Sequence, residues 1–106
     1  MSTVKSSISN GQLLLINEVL PWTAGNDSQA AAVRSLNAAY ETWCSSNDAI
    51  LIRCHHEMAQ IRGSTGQLDD LYAGYDSDGT HLTLDGVKRF AQIMARQIRA
   101  IPWPDV

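Results

Sequence analysis

Two apolar runs of strand length, with one amphipathic helix between them, constrain this chain more than any other feature. Gln12 to Leu20, QLLLINEVL, is mostly apolar and is closed by Pro21. Ala49 to Cys54, AILIRC, is a second such run, and Arg53 marks the end that reaches solvent. Near-continuous hydrophobicity belongs to strands covered on both faces, as in a parallel sheet, because a half-exposed strand alternates. Between the runs, about Gln29 to Ser45 places Val33, Leu36, Asn37, Tyr40, Trp43 and Cys44 on one face at the 3.6-residue period. Pro21 to Asp27 is the loop before this helix, with Asp27 or Ser28 as its cap, and Asn47-Asp48 turns the chain after it. Strand, helix and strand in that order form a right-handed βαβ unit, the building block of a doubly wound sheet.

A chain of 106 residues has room for one core, so a single domain is expected across residues 1–106. Met1 to Asn10 is polar, a tail or the remnant of a helix, and Asn10-Gly11 reads as a turn into the folded body at 11–101. A net charge of −3 leaves no basic footprint, which argues against nucleic acid as a partner. The longest wholly apolar run, Leu13 to Ile16, is too short to cross a bilayer, and the polar first ten residues lack a signal peptide's apolar stretch. Cys44 and Cys54 form neither a disulfide framework nor a CxxC site, and read as reduced core residues. A cytoplasmic protein with no membrane partner is the expectation.

From His55 to Gly79 the pattern is irregular, interrupted by Gly63, Gly66, Gly74 and Gly79, with a short helix expected at Glu57 to Arg62 or at Leu68 to Tyr72. A last helix, about Leu84 to Ala100, offers Val87, Phe90, Ala91, Met94, Ile98 and Ile101 to the core and stops at Pro102. Trp103-Pro104 is expected to fold back on the body. The chemistry-bearing stretch lies just before this helix. Tyr75 to Gly86, YDSDGTHLTLDG, sets Asp78 and His81 three residues apart, with Thr83 able to cap the helix. In such a pair the carboxylate orients the imidazole, and the free ring nitrogen takes a proton.

The segment Tyr75-Asp-Ser-Asp-Gly-Thr-His-Leu-Thr-Leu-Asp-Gly-Val-Lys-Arg-Phe-Ala resembles the last sequence block of the SGNH (GDSL-type) ester hydrolases. In that block Asp and His are followed, five residues after the His, by a helix glycine, here Gly86. The order strand, Pro21-Trp22, long helix, strand, irregular stretch, Asp-x-x-His and helix is similar to the C-terminal part of these enzymes over about Gln12 to Ile101. The resemblance implies an α/β, truncated doubly wound (flavodoxin-like, SGNH) three-layer fold with a short parallel sheet. It assigns His81 as general base and Asp78 as its orienting carboxylate. Leu82-Thr83 depart mildly from what family members often carry after the His.

The family also needs a Gly-Asp-Ser nucleophile directly after its first strand, and this sequence has no such run. Gly25-Asn26-Asp27-Ser28 is the nearest approach. Pro21 to Ala24 separate this run from the strand, however, whereas a nucleophile elbow needs the serine almost at the strand's end. Ser28 is therefore a candidate nucleophile set against a plainer reading as a helix cap. Cys54-His55-His56-Glu57 holds metal-capable groups, but adjacent histidines on an extended segment point apart, and the spacing is not HExxH. Asp76-Ser77-Asp78-Gly79 opens like a calcium loop, yet Val87 stands where the closing glutamate belongs. No phosphate-binding glycine loop occurs, so neither cofactor nor metal is expected.

Two functions remain open. One is a non-catalytic or incomplete ester hydrolase module. The other is an acyl or acetyl esterase that pairs Asp78 and His81 with Ser28 or with a serine from a partner chain, such as a separate N-terminal half. A two-stranded unit also leaves one strand edge unpaired. A homodimer through the Gln12–Leu20 edge, completing the sheet, is expected.

Overall fold

The structure, a computed structural model, describes residues 13–102. The expected tail at Met1–Asn10, the Asn10-Gly11 turn, Gln12 and Trp103-Pro104 lie outside the described residues. Strand β1 (Leu15–Asn17) is followed by helix α1 (Asp27–Ser46), strand β2 (Ile50–Ile52) and the single turn α2 (His55–Met58). A hairpin of β3 (Ala59–Gln60) and β4 (Asp70–Leu71), a 3-10 turn at Ala73–Tyr75 and helix α3 (Leu84–Arg99) complete it. The architecture is mixed α/β.

β1 and β2 pair in parallel, with Leu15 opposite Ile50 and Asn17 opposite Ile52. Parallel strands need a crossover, and the 20 residues of α1 supply it. The strands are shorter than their apolar runs. Within the Gln12–Leu20 run, β1 holds three residues, because Val19 leaves the ladder to bond a side chain: buried Asn37 accepts from the Val19 N–H at 2.7 Å and donates to its carbonyl at 3.0 Å. That pair of bonds explains the one polar residue on the buried face of α1. It satisfies both backbone groups of Val19 where the sheet stops.

The cap of α1 is Asn26, one residue before the expected Asp27 or Ser28. Its side chain accepts from the Gln29 N–H at 2.8 Å, and Gln29 Oε1 accepts from the Asn26 N–H at 2.8 Å, a reciprocal capping box. Asp27 and Ser28 thus fall inside the first turn. The buried residues of α1 are Ala30, Asn37 and Cys44, seven apart. Leu36 and Trp43, expected in the core, are exposed, because a sheet of two short strands is too narrow to cover the whole apolar face.

α3 begins at its expected cap, where Thr83 Oγ1 accepts from the Gly86 N–H at 3.1 Å. Its rotation differs from expectation. Ile93 is fully buried, whereas Val87 is half-exposed and Ala91 is exposed. Gly86 fixes this rotation by packing on backbone: a Cβ there would lie 2.7 Å from the Tyr75 carbonyl oxygen. Ile93 joins Cys54, Met58 and Leu71 in the core, with Leu20, Tyr75, Leu82 and Phe90 packed against it. Glu57 ties α2 to α3 by accepting from Arg89 at 2.9 Å and pairing with Arg96. The stretch expected to be irregular therefore contains a helical turn at His55–Met58 and a hairpin rather than a helix at Glu57–Arg62 or Leu68–Tyr72.

Candidate active site

Residues 76–82 form a loop closed at its base. The Ser77 N–H donates to the His81 carbonyl at 2.9 Å, and Asp76 bridges Leu82. Asp76 Oδ1 accepts from the Gly79 N–H at 2.6 Å, and Gly79 takes φ +93°, a conformation that glycine adopts without strain. Asp78 Oδ1 accepts from the N–H groups of Thr80 and His81 at 3.0 and 2.8 Å, an Asx-type turn. Its other oxygen, Oδ2, lies 2.8 Å from His81 Nδ1.

The imidazole of His81 first, and then the two backbone N–H donors, hold the Asp78 carboxyl down at about 2. An ionised carboxylate only accepts hydrogen bonds, so Nδ1 is the donor in this contact, and in the neutral ring the lone pair falls to Nε2. Both side chains are open to solvent, His81 at 76% and Asp78 at 56% exposure. The arrangement is an exposed carboxylate–imidazole pair in which the carboxylate favours the Nδ1–H tautomer of the neutral ring.

This loop is held against the loop that follows β1. The Ala24 N–H donates to the Gly79 carbonyl at 2.9 Å, and Trp22 Nε1 donates to Thr80 Oγ1 at 3.2 Å. The pair thus sits beside the chain leaving the carboxyl end of a parallel strand, the place where open α/β sheets carry their sites. Trp22, Ala24, Asp76 and Thr80 were not legible as site residues. The only signal was the adjacency of Pro21-Trp22 to a strand end.

Ser28 is exposed in the first turn of α1, and no hydrogen bond joins it to His81 or Asp78 among the described residues. His55 and His56 sit on the helical turn α2, not on an extended segment, and the described residues contain no group of three or more metal-ligating side chains. Cys44 and Cys54 are free and buried. Burial, then the nearby Glu18, pushes the Cys54 thiol up to about 11, and Cys54 donates to the Glu18 carbonyl at 3.2 Å as a neutral group. No helix among the described residues is long and apolar enough to cross a membrane.

No family model matches the sequence, and no curated protein matches it significantly. Solved structures do share the fold. A GDSL-like lipase from Bacteroides thetaiotaomicron superposes with a TM-score of 0.68 at 20% identity, over 92% of this chain and 47% of the lipase. A Bacteroides fragilis protein described as an acylhydrolase gives the same values. A Streptococcus pneumonia protein described as a platelet activating factor gives 0.60 at 15% identity, over 91% of this chain and 52% of its own. The chain therefore has the fold of the GDSL-type hydrolases, and it spans about half the length of the solved structures it matches.

Proposed function

We propose that this chain is the base-bearing module of a GDSL-type ester hydrolase, which positions a general base but supplies no nucleophile of its own. The observation that carries this reading is the 2.8 Å bond between His81 Nδ1 and Asp78 Oδ2, with the carboxyl held ionised. Given a serine within reach of Nε2, the chemistry is acyl transfer. The serine oxygen attacks the ester carbonyl, its proton passes to Nε2, and the same nitrogen returns that proton to the departing alcohol. Water repeats the sequence and frees the acid. The expected substrates are acyl or acetyl esters. Alone, the dyad contributes only general-base assistance, on the order of 10²–10⁴-fold, without covalent catalysis or a shaped oxyanion site.

Self-association is the second part of the proposal, and the two sheet edges support it unequally. Ile50 N–H donates to Leu14 O and Glu18 N–H to Ile52 O, so residues 14 and 18 point their backbone at β2, while Leu15 and Asn17 point away. Beyond β2 the edge is closed: Gln97 Oε1 accepts from the Arg53 N–H at 2.7 Å, and its amide donates to the Arg53 carbonyl at 2.5 Å. Beyond β1 no described residue plays that part. Leu14 and Leu15 are 49% and 37% exposed there, and an apolar groove of about 380 Å³ lined by Ile16, Leu36, Ala39, Tyr40 and Trp43 runs alongside. A second copy pairing through β1 covers this face and continues the sheet. Two reduced cysteines accord with a cytosolic setting.

The test is hydrolysis of a short acyl ester by the purified chain. The expected result is a rate no greater than that of weak general-base assistance, lost in His81→Ala. Robust turnover that survives Ser28→Ala and dies with His81→Ala overturns the reading, because another nucleophile in the chain is then at work.

A further inference from the structure

We infer that Trp22, acting through Thr80, is a positioning residue for the Asp78–His81 pair, and that the loop after β1 is a brace that keeps the base oriented. This rests on the reading of the pair as a general base. Surface position makes a brace necessary: with His81 and Asp78 largely exposed, water competes for both ends of their bond and a short loop samples other turns. Inside the loop, the Ser77–His81 and Asp76–Gly79 bonds set its shape without fixing it to the body. Fixing the crown falls to two bonds from one segment, Ala24 N–H to Gly79 O and Trp22 Nε1 to Thr80 Oγ1. Thr80 links the two systems, since its hydroxyl accepts from Trp22 while its own N–H donates to the Asp78 oxygen at 3.0 Å.

The brace is built on glycines at both contact points. A Cβ on Gly25 would lie 2.7 Å from Trp22 Cε3, so the indole rests directly on that backbone and gains a fixed direction from it. A Cβ on Gly79 would lie 3.0 Å from the Ala24 Cβ, in addition to the strain at φ +93°. Trp22 is among the exposed large hydrophobic residues, so core burial does not account for its placement. Its indole N–H reaches the loop that carries the base.

The readout is the tautomer of His81, measured by 15N NMR on the full chain well above the ordinary histidine titration range. In the wild type the Nδ1–H form dominates. Trp22→Phe keeps an aromatic ring, smaller than the indole, and removes the donor; Thr80→Val removes the acceptor at an exposed position. Each is expected to lower the Nδ1–H to Nε2–H ratio roughly two- to tenfold, the span of one net hydrogen bond. Thr80→Ser restores the ratio, and the double variant falls no further than either single one. Thermal unfolding is followed in parallel. A ratio unchanged in both single variants, with or without a lower melting temperature, overturns the brace and leaves the pair's chemistry untouched. A wild-type ring that is mainly Nε2–H overturns the dyad reading itself. Absence of esterase activity bears on neither outcome.

Discussion

Gly86→Ala is the substitution whose effect follows most directly from distances. The new methyl group meets the Tyr75 carbonyl oxygen at 2.7 Å, with Tyr75 Cβ at 3.0 Å and Tyr75 Cα at 3.2 Å behind it. All three belong to backbone or to a Cβ, so no side-chain rotation relieves the clash. Overpacking of this kind costs about 1–3 kcal/mol, and a contact with backbone belongs at the upper end. Alanine recovers up to about 1 kcal/mol of helix propensity over glycine. The net expectation is a loss of about 1–2 kcal/mol, or roughly 5–15 °C in melting temperature for a domain of this size. The displacement also acts on the bond from the Thr83 N–H to the same Tyr75 oxygen, 3.0 Å in the native chain, two residues from His81. Thermal and denaturant unfolding followed by circular dichroism measure the loss. A variant as stable as the native chain, or more so, refutes the argument that Gly86 is held by close backbone approach.

Three further outcomes are expected. The Asp78 carboxyl titrates at about 2 by carbon NMR; because its folded pKa is depressed, its contribution to stability is present above the ordinary carboxylate range and disappears as pH falls from about 4 through about 2. Asn37→Ala, which strands both backbone groups of Val19, destabilises by about 2–3 kcal/mol in denaturant unfolding, whereas a loss below about 0.5 kcal/mol contradicts the clamp. Light scattering at micromolar concentration gives the mass of a dimer for the native chain and of a monomer for Leu15→Lys; a native monomer removes the β1 interface.

The parallel βαβ unit was legible because long apolar runs and a helical stripe are strong signals, and the helix caps lay within a residue of expectation. The Asp-x-x-His spacing was legible because a local turn alone brings the two side chains together. Elements of two to four residues, such as the β3–β4 hairpin and α2, carry too little pattern to read. The rotation of α3 was missed because an apolar stripe with residues on both flanks fits two rotations, and only the approach of Gly86 to Tyr75 selects the one that buries Ile93. Most informative is β1. Its sequence asks for cover on both faces, and the described residues leave Leu14 and Leu15 exposed. Hydrophobicity reports what a strand is suited to pack against, whether or not the described residues supply it.

The central claim, a base without its own nucleophile, is tested most directly by incubating the purified chain with a fluorophosphonate probe and locating any adduct by mass spectrometry. Activated serines are phosphonylated and ordinary surface serines are not. The account predicts no adduct on Ser28 or on any other serine of the chain. A stoichiometric adduct on Ser28 that disappears in His81→Ala contradicts it.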